Sequence, residues 1–267
     1  MSFTLQYASN FFLNLHKRRD FKNMLIPCSE NLAVLGNICS LDTHESVRAY
    51  EIFLSYCSKN YKNVYLVPGV WEMGSKKPQV YEDCMYNLYS LSKNYRNVSL
   101  LNNSQAYNSN ICIVGTPLWV RYPYIKHQCM YEYNYIWLKR HSSLSQITGH
   151  DIVNWHLEDV QFIKDMVQGN RVKTIILTHH MPDTTFTDNI YRKRMEATNL
   201  EKHVKKPIEV WLGGACDRSI SGTIGISRDV FCGVNPYTTF NMAPKDINPT
   251  YNPEAYISLR IDEPYLT

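Results

Sequence analysis

The chain has 267 residues, 44% of them hydrophobic and 19% charged, with a formal net charge of +4. That length supports a substantial core, the composition excludes disordered and collagen-like classes, and the charge is too small to argue for nucleic acid by itself. No run of about 18 apolar residues occurs, so no membrane-spanning helix is expected. Residues 1–20 lack a basic segment followed by an apolar one, so the chain is expected to be intracellular and not secreted.

In chain order, Phe3 to Ala8 reads as a strand, and the wholly apolar Leu32 to Leu35 as one buried on both faces. Thr43 to Asn60 is helical, with Val47, Tyr50, Phe53, Leu54 and Cys57 at 3- and 4-residue spacing. Asn63 to Val67 is a strand stopped by Pro68-Gly69, and Val80 to Tyr95 is a second helix. Strands follow at Asn97 to Leu101 and Ile111 to Val114. Residues 119–149 are aromatic and lack periodicity, and read as an irregular insertion. Asp151 to Gln168 is helical, closed by Gly169-Asn170 as a C-terminal cap. Val172 to Leu177 and Ile208 to Leu212 are buried strands, and Thr223 to Ile226, Val230 to Val234 and Ala255 to Ile261 form a β-rich tail. With no linker and no repeat, the reading is a single α/β domain over 1–267.

The 8 cysteines are Cys28, Cys39, Cys57, Cys84, Cys112, Cys129, Cys216 and Cys232, with no C-x-x-C pair. They read as free thiols in a reducing compartment. The 20 tyrosines, beside abundant Asn, Lys and Ile, are compatible with an AT-rich genome such as that of a large DNA virus. Basic clusters at His16-Lys17-Arg18-Arg19, Arg192-Lys193-Arg194 and Lys205-Lys206 lack interleaved exposed aromatics and read as solvated faces. Nucleic acid is therefore not an expected partner. Tyr122, Tyr124, Tyr131, Tyr133, Tyr135 and Trp137 are divided between core packing and a protein interface. His141, His150 and His156 have no ligand spacing, and Cys216 has no paired base.

In open α/β sheets, sites collect at the carboxyl ends of strands. Five segments there are Ser9-Asn10-Phe11-Phe12, Gly36-Asn37, Pro68-Gly69-Val70-Trp71-Glu72, Thr178-His179-His180-Met181-Pro182 and Gly213-Gly214-Ala215-Cys216-Asp217-Arg218. In order and spacing these resemble the calcineurin-like metallophosphoesterase family. LQYASNFF stands at the family's S-D-L-H, LAVLGNIC at L-x-G-D-I, VYLVPGVWE at V-P-G-N-H-E, LTHHMP at its T-H-H-x-P type segment, and WLGGACDR at G-H-T-H-R. LLNNS, GTPLW and the late NPY turn are smaller echoes. The resemblance covers nearly the whole chain and implies a two-sheet β-sandwich flanked by helices. For an intact member it also implies a two-metal phosphoesterase.

Carried over position by position, the resemblance implies a degenerate cleft. Asn10 stands at the first motif's Asp and Phe12 at its His, while Asn37 stands at the bridging Asp. Val70 and Trp71 stand at the third motif's Asn and His, and Ala215 and Asp217 at the last motif's two His. His179 alone is retained. Two divalent cations about 4 Å apart require a bridging anion and further carboxylates. Asn10 and Asn37 are neutral, Phe12, Val70 and Ala215 cannot ligate through their side chains, and the Trp71 indole is no general acid. Glu72 and His180 read as hydrogen-bonding loop residues.

The expectation is a pseudoenzyme with no catalytic residues, no resident metal or other cofactor, and a protein partner. The alternatives are a residual phosphoesterase holding one weakly bound manganese or zinc at His179 and Asp217 with the Asn10 and Asn37 amides, or a phosphate or nucleotide binder without turnover.

Overall fold

The computed structural model describes residues 2–16, 20–74, 77–121, 132–141, 143–187, 197–238 and 247–261. One sheet has five strands. Its centre is β1 (Ser2–Ala8), β2 (Asn31–Leu35) and β3 (Asn63–Val67), all parallel. β5 (Val98–Leu100) flanks β3, and β14 (Tyr256–Arg260) flanks β1 antiparallel, giving the order β14-β1-β2-β3-β5. The second sheet has six strands. In it β7 (Ile111–Thr116), β10 (Lys173–Thr178), β11 (Ile208–Gly213) and β13 (Val230–Val234) run parallel. β6 (Ser104–Asn108) and β12 (Ile220–Ile224) are its antiparallel edges.

Period-2 patterning divides each sheet into two faces. Leu5, Tyr7, Ala33, Leu35, Tyr65 and Val67 meet Ile111, Ile113, Ile175, Leu177, Val210 and Leu212 in one buried cluster between the sheets. The alternate residues face outward. Leu32, Val34, Val64 and Leu66 pack on Met24 of the short α1 (Phe21–Met24), on Tyr50, Phe53, Leu54 and Cys57 of α2 (His44–Asn60) and on Leu88 and Leu91 of α4 (Tyr81–Lys93). Cys112, Val114, Ile176 and Trp211 pack on Val160, Ile163 and Val167 of α5 (Gly149–Gly169). Each fully buried Leu or Ile contributes about 2 kcal/mol by area, so the sandwich is held from three apolar layers. Leu32 to Leu35 and Val64 to Val67 are apolar on both faces because both sides are covered, whereas β1 carries the buried, hydrogen-bonded Gln6 on its outer face.

The helix starts follow capping chemistry. Thr43 accepts a hydrogen bond from Ser46 N (3.1 Å), and Thr148 and Asp151 form a reciprocal capping box at α5. Asp151 also pairs with Arg140 Nη2 at 2.6 Å. α5 runs through Gly169, and its C-cap Asn170 is extended at φ −102, so the expected glycine cap is not formed. Among the described residues no helix is long and apolar enough to cross a membrane.

Other parts also differ from the sequence expectation: β12 covers Ile220–Ile224 where the sequence pattern predicts Thr223 to Ile226, and two regions carry strands that periodicity does not show. The described part of 119–149 is not irregular: β8 (Ile136–Arg140) and β9 (Ser143–Gln146) form a hairpin beside β4 (Gln79–Val80), a third sheet in the order β4-β8-β9. The pairing of β8 with β4 is parallel and spans more than fifty residues, which local periodicity cannot show. β6 was also not expected, because SQAYN is a half-exposed polar edge strand with no apolar run. Residues 122–131, including Tyr122, Tyr124, Cys129 and Tyr131, lie outside the described residues. The other seven cysteines are free thiols, all buried except Cys28.

Candidate functional site

β1, β2, β3, β10 and β11 end at one edge of the sandwich, and their following loops join there. Ser9 Oγ donates to Gly214 O (2.8 Å), linking β1 to the loop after β11. His179 Nδ1 lies 2.9 Å from Leu35 O, linking the end of β10 to the end of β2. Gly214 and Ala215 both donate backbone N–H to His179 O, at 2.8 and 2.6 Å. The packing leaves no room for a side chain at Gly36: it has φ +83, and a Cβ there would meet His179 Nδ1 at 2.5 Å and Gly69 Cα at 2.7 Å. The turn after β13 braces the same edge, with Thr238 Oγ1 donating to Asn10 O at 2.8 Å.

Asn10 and Asn37, both fully buried, face each other. Trp71 N donates to Asn37 Oδ1 (2.9 Å), Asn37 Nδ2 to Asn10 Oδ1 (3.0 Å), and Asn10 Nδ2 to Cys216 O (3.1 Å). This relay has a fixed direction. It begins at a backbone N–H, which can only donate, and ends at a carbonyl, which can only accept. Each intermediate must accept on one side and donate on the other, which an amide does and an ionised carboxylate cannot. The amide orientations are thus set by the ends of the chain. Asn10, Phe12 and Asn37 all have positive φ, at 56, 45 and 57. Asn tolerates that region, whereas Phe12 holds a strained backbone at the site.

Aromatic packing fills the neighbouring positions. The rings of Phe12 and Trp71 meet edge to face at 5.3 Å, and both residues are buried. The Trp71 indole donates to Asn14 Oδ1 at 2.9 Å. Val70 and Ala215 are buried as well. Val70 opens α3 (Val70–Met73), the short helix that carries Trp71 and Glu72. Glu72 is fully buried and accepts three backbone donors: Asn37 N (3.0 Å), Gly69 N (3.0 Å) and Ile38 N (2.6 Å). Burial raises its pKa to about 6, against the opposing pull of these hydrogen bonds. It ties the loop after β2 to the loop after β3.

Burial depresses the His179 imidazole to about 4. Because a carbonyl only accepts, Nδ1 carries the proton toward Leu35 O and Nε2 keeps a lone pair. The His180 ring lies 4.8 Å away and is also held well below its ordinary value, first by burial and then by His179. Asp217 and Arg218 follow Cys216 at the rim, half-buried and exposed respectively. Among the described residues no group of three or more His, Cys, Asp or Glu is placed to hold a metal ion.

Beside the site lies a feature that sequence reasoning missed. His156 and Asp159, three apart on the buried face of α5, clasp the backbone of one residue: Asp159 Oδ2 accepts Trp119 N at 2.9 Å, and His156 Nδ1 meets Trp119 O at 2.6 Å. Trp119 in turn packs against Trp155 (4.8 Å) and His180 (6.2 Å). The available signal was two polar residues on the apolar stripe of α5. Lys17, Arg18, Arg19 and Arg192 to Arg194 lie outside the described residues. His141 turns the β8–β9 hairpin at φ 51, and His150 contacts only Asn154 among the described contacts.

No family model matches the chain. It is 26% identical to the uncharacterized protein L509 of Acanthamoeba polyphaga mimivirus, over 85% of this chain and 83% of that one. A crystal structure is similar over 97% of this chain and 95% of its own, with a TM-score of 0.56 and 13% identity. At that identity the likeness concerns the fold alone.

Proposed function

We propose that this chain is a metallophosphoesterase-like pseudoenzyme that acts inside the cell as a binding or regulatory module for a protein partner. The reading rests on the five motif positions in order, on the two-sheet sandwich flanked by helices, and above all on the Trp71–Asn37–Asn10–Cys216 relay. Where the family resemblance implies two carboxylates, both amide oxygens already accept N–H donors, and the amide nitrogens cannot ligate. Phe12 and Trp71 fill space that metal ligands would need. The likeness to a giant-virus protein fits a viral setting, in which interference with a host pathway is a natural role.

Calorimetric titration of metal-stripped protein with manganese at neutral pH tests it. The expected result is no saturable binding, with cleavage of bis(p-nitrophenyl) phosphate no faster than in buffer. Asp217→Ala should leave partner capture intact. Two metals bound per chain would overturn both the register and the pseudoenzyme reading.

One observation favours a second reading. His179 presents a neutral imidazole whose Nδ1 is committed to a backbone carbonyl, the form in which Nε2 ligates metals. A single manganese or zinc on His179 and Asp217 would then appear as one site per chain, with slow diesterase activity lost in His179→Ala.

A further inference from the structure

A groove of about 500 Å³ lies at the opposite end of the six-stranded sheet, where β10 and β11 begin. The last turns of α5 and the segment leading into β11 form its walls. Lys164, Lys205, Lys206 and His203 surround it, and Val167 and Pro207 supply an apolar floor. Lys206 is engaged with Glu209 at 2.6 Å. Lys164 and Lys205 have no carboxylate within ion-pair distance among the described residues. The concentration of positive charge registers on the histidine between them: partial burial first, and then Lys164, Lys205 and Lys202, hold His203 below its ordinary value. Two ammonium groups that line one concavity without a carboxylate partner repel each other, and a shared anion relieves that repulsion.

We propose that this groove binds a small molecule carrying two or more linked phosphates, with the phosphates on Lys164 and Lys205 and the remainder on the Val167–Pro207 floor. Lysine serves as a point-charge phosphate partner. The volume lies within the range of small-ligand sites, about 300–1,000 Å³. A single-stranded nucleic acid is less well served, because such sites present stacking aromatics, and no Phe, Tyr or Trp lines this groove. The site is separate from the cleft at the strands' carboxyl ends and does not depend on the reading given to that cleft.

The test is calorimetric titration of the full chain with inorganic tripolyphosphate, at matched ionic strength, with sulfate as the control anion. One tripolyphosphate per chain is expected, with sulfate much weaker and His203 ring resonances shifting at saturation. Lys164→Gln and Lys205→Gln should each weaken binding about tenfold, as loss of a charge-assisted contact does. Both are surface positions, and unchanged thermal unfolding of the free variants will show that the fold is kept. Absence of saturable binding, equal binding of sulfate, affinity unchanged in both variants, or binding of oligonucleotides alone would each overturn the proposal.

Discussion

At the scale of single residues, the two asparagines explain each other. At position 10 a carboxylate could accept from Asn37, but its second oxygen would face Cys216 O. At position 37 it could accept from Trp71 N, but its second oxygen would face Asn10 Oδ1. In each case a buried oxygen opposes another oxygen, and a charge is placed in a fully buried site. Asn37→Asp is therefore expected to destabilise the protein by about 2 kcal/mol or more at neutral pH, read from urea unfolding. A variant as stable as the parent would mean that the relay contributes nothing. The candidate positions were legible in sequence because each follows an apolar run that ends in a strand. The relay was not, since it depends on the left-handed backbone at Asn10 and Asn37 turning both amides toward one another.

At the scale of elements, α5 does more than cover a sheet. Its apolar stripe, Val160, Ile163 and Val167, packs on the six-stranded sheet, while His156 and Asp159 satisfy both backbone polar groups of Trp119. The chain leaves β7 here toward β8, so a buried peptide without partners would otherwise interrupt the core. Asp159→Ala strands the buried Trp119 N–H and should cost about 2–3 kcal/mol. Asp159→Asn, which keeps a carbonyl acceptor, should cost clearly less. Equal losses in denaturant unfolding would show that the hydrogen bond is not what Asp159 supplies. Periodicity revealed α2, α4 and α5 and the central strands, because burial on a defined face leaves a period in the sequence. It did not reveal β4, β6, β8 or β9, whose half-exposed residues carry no such period and whose pairing is set by the tertiary fold.

At the scale of the whole molecule, buried ionisable groups make stability depend on pH in two opposed directions. His179, depressed to about 4, must stay neutral in the folded chain. Its contribution is complete above the unfolded histidine value near 6.5 and is lost as pH falls toward 4. Between pH 7 and 5 that loss amounts to about 2 kcal/mol. His180 and His156 are shifted in the same direction. Glu72 and Asp159, both raised to about 6, act oppositely. They favour the folded state when protonated, so each returns about 1 kcal/mol over the same interval. With three buried imidazoles against two buried carboxylates, the free energy of unfolding should be lower at pH 5 than at pH 7. The size of the fall is set by the difference between the two groups. Urea unfolding across this range separates them. His179→Gln should flatten the acid loss, and Asp159→Asn should steepen it by removing a compensating group. A His179→Gln chain with the parent's pH slope would show that this imidazole takes up its proton without unfolding, and hence that the edge where the five loops meet opens to water in the native state.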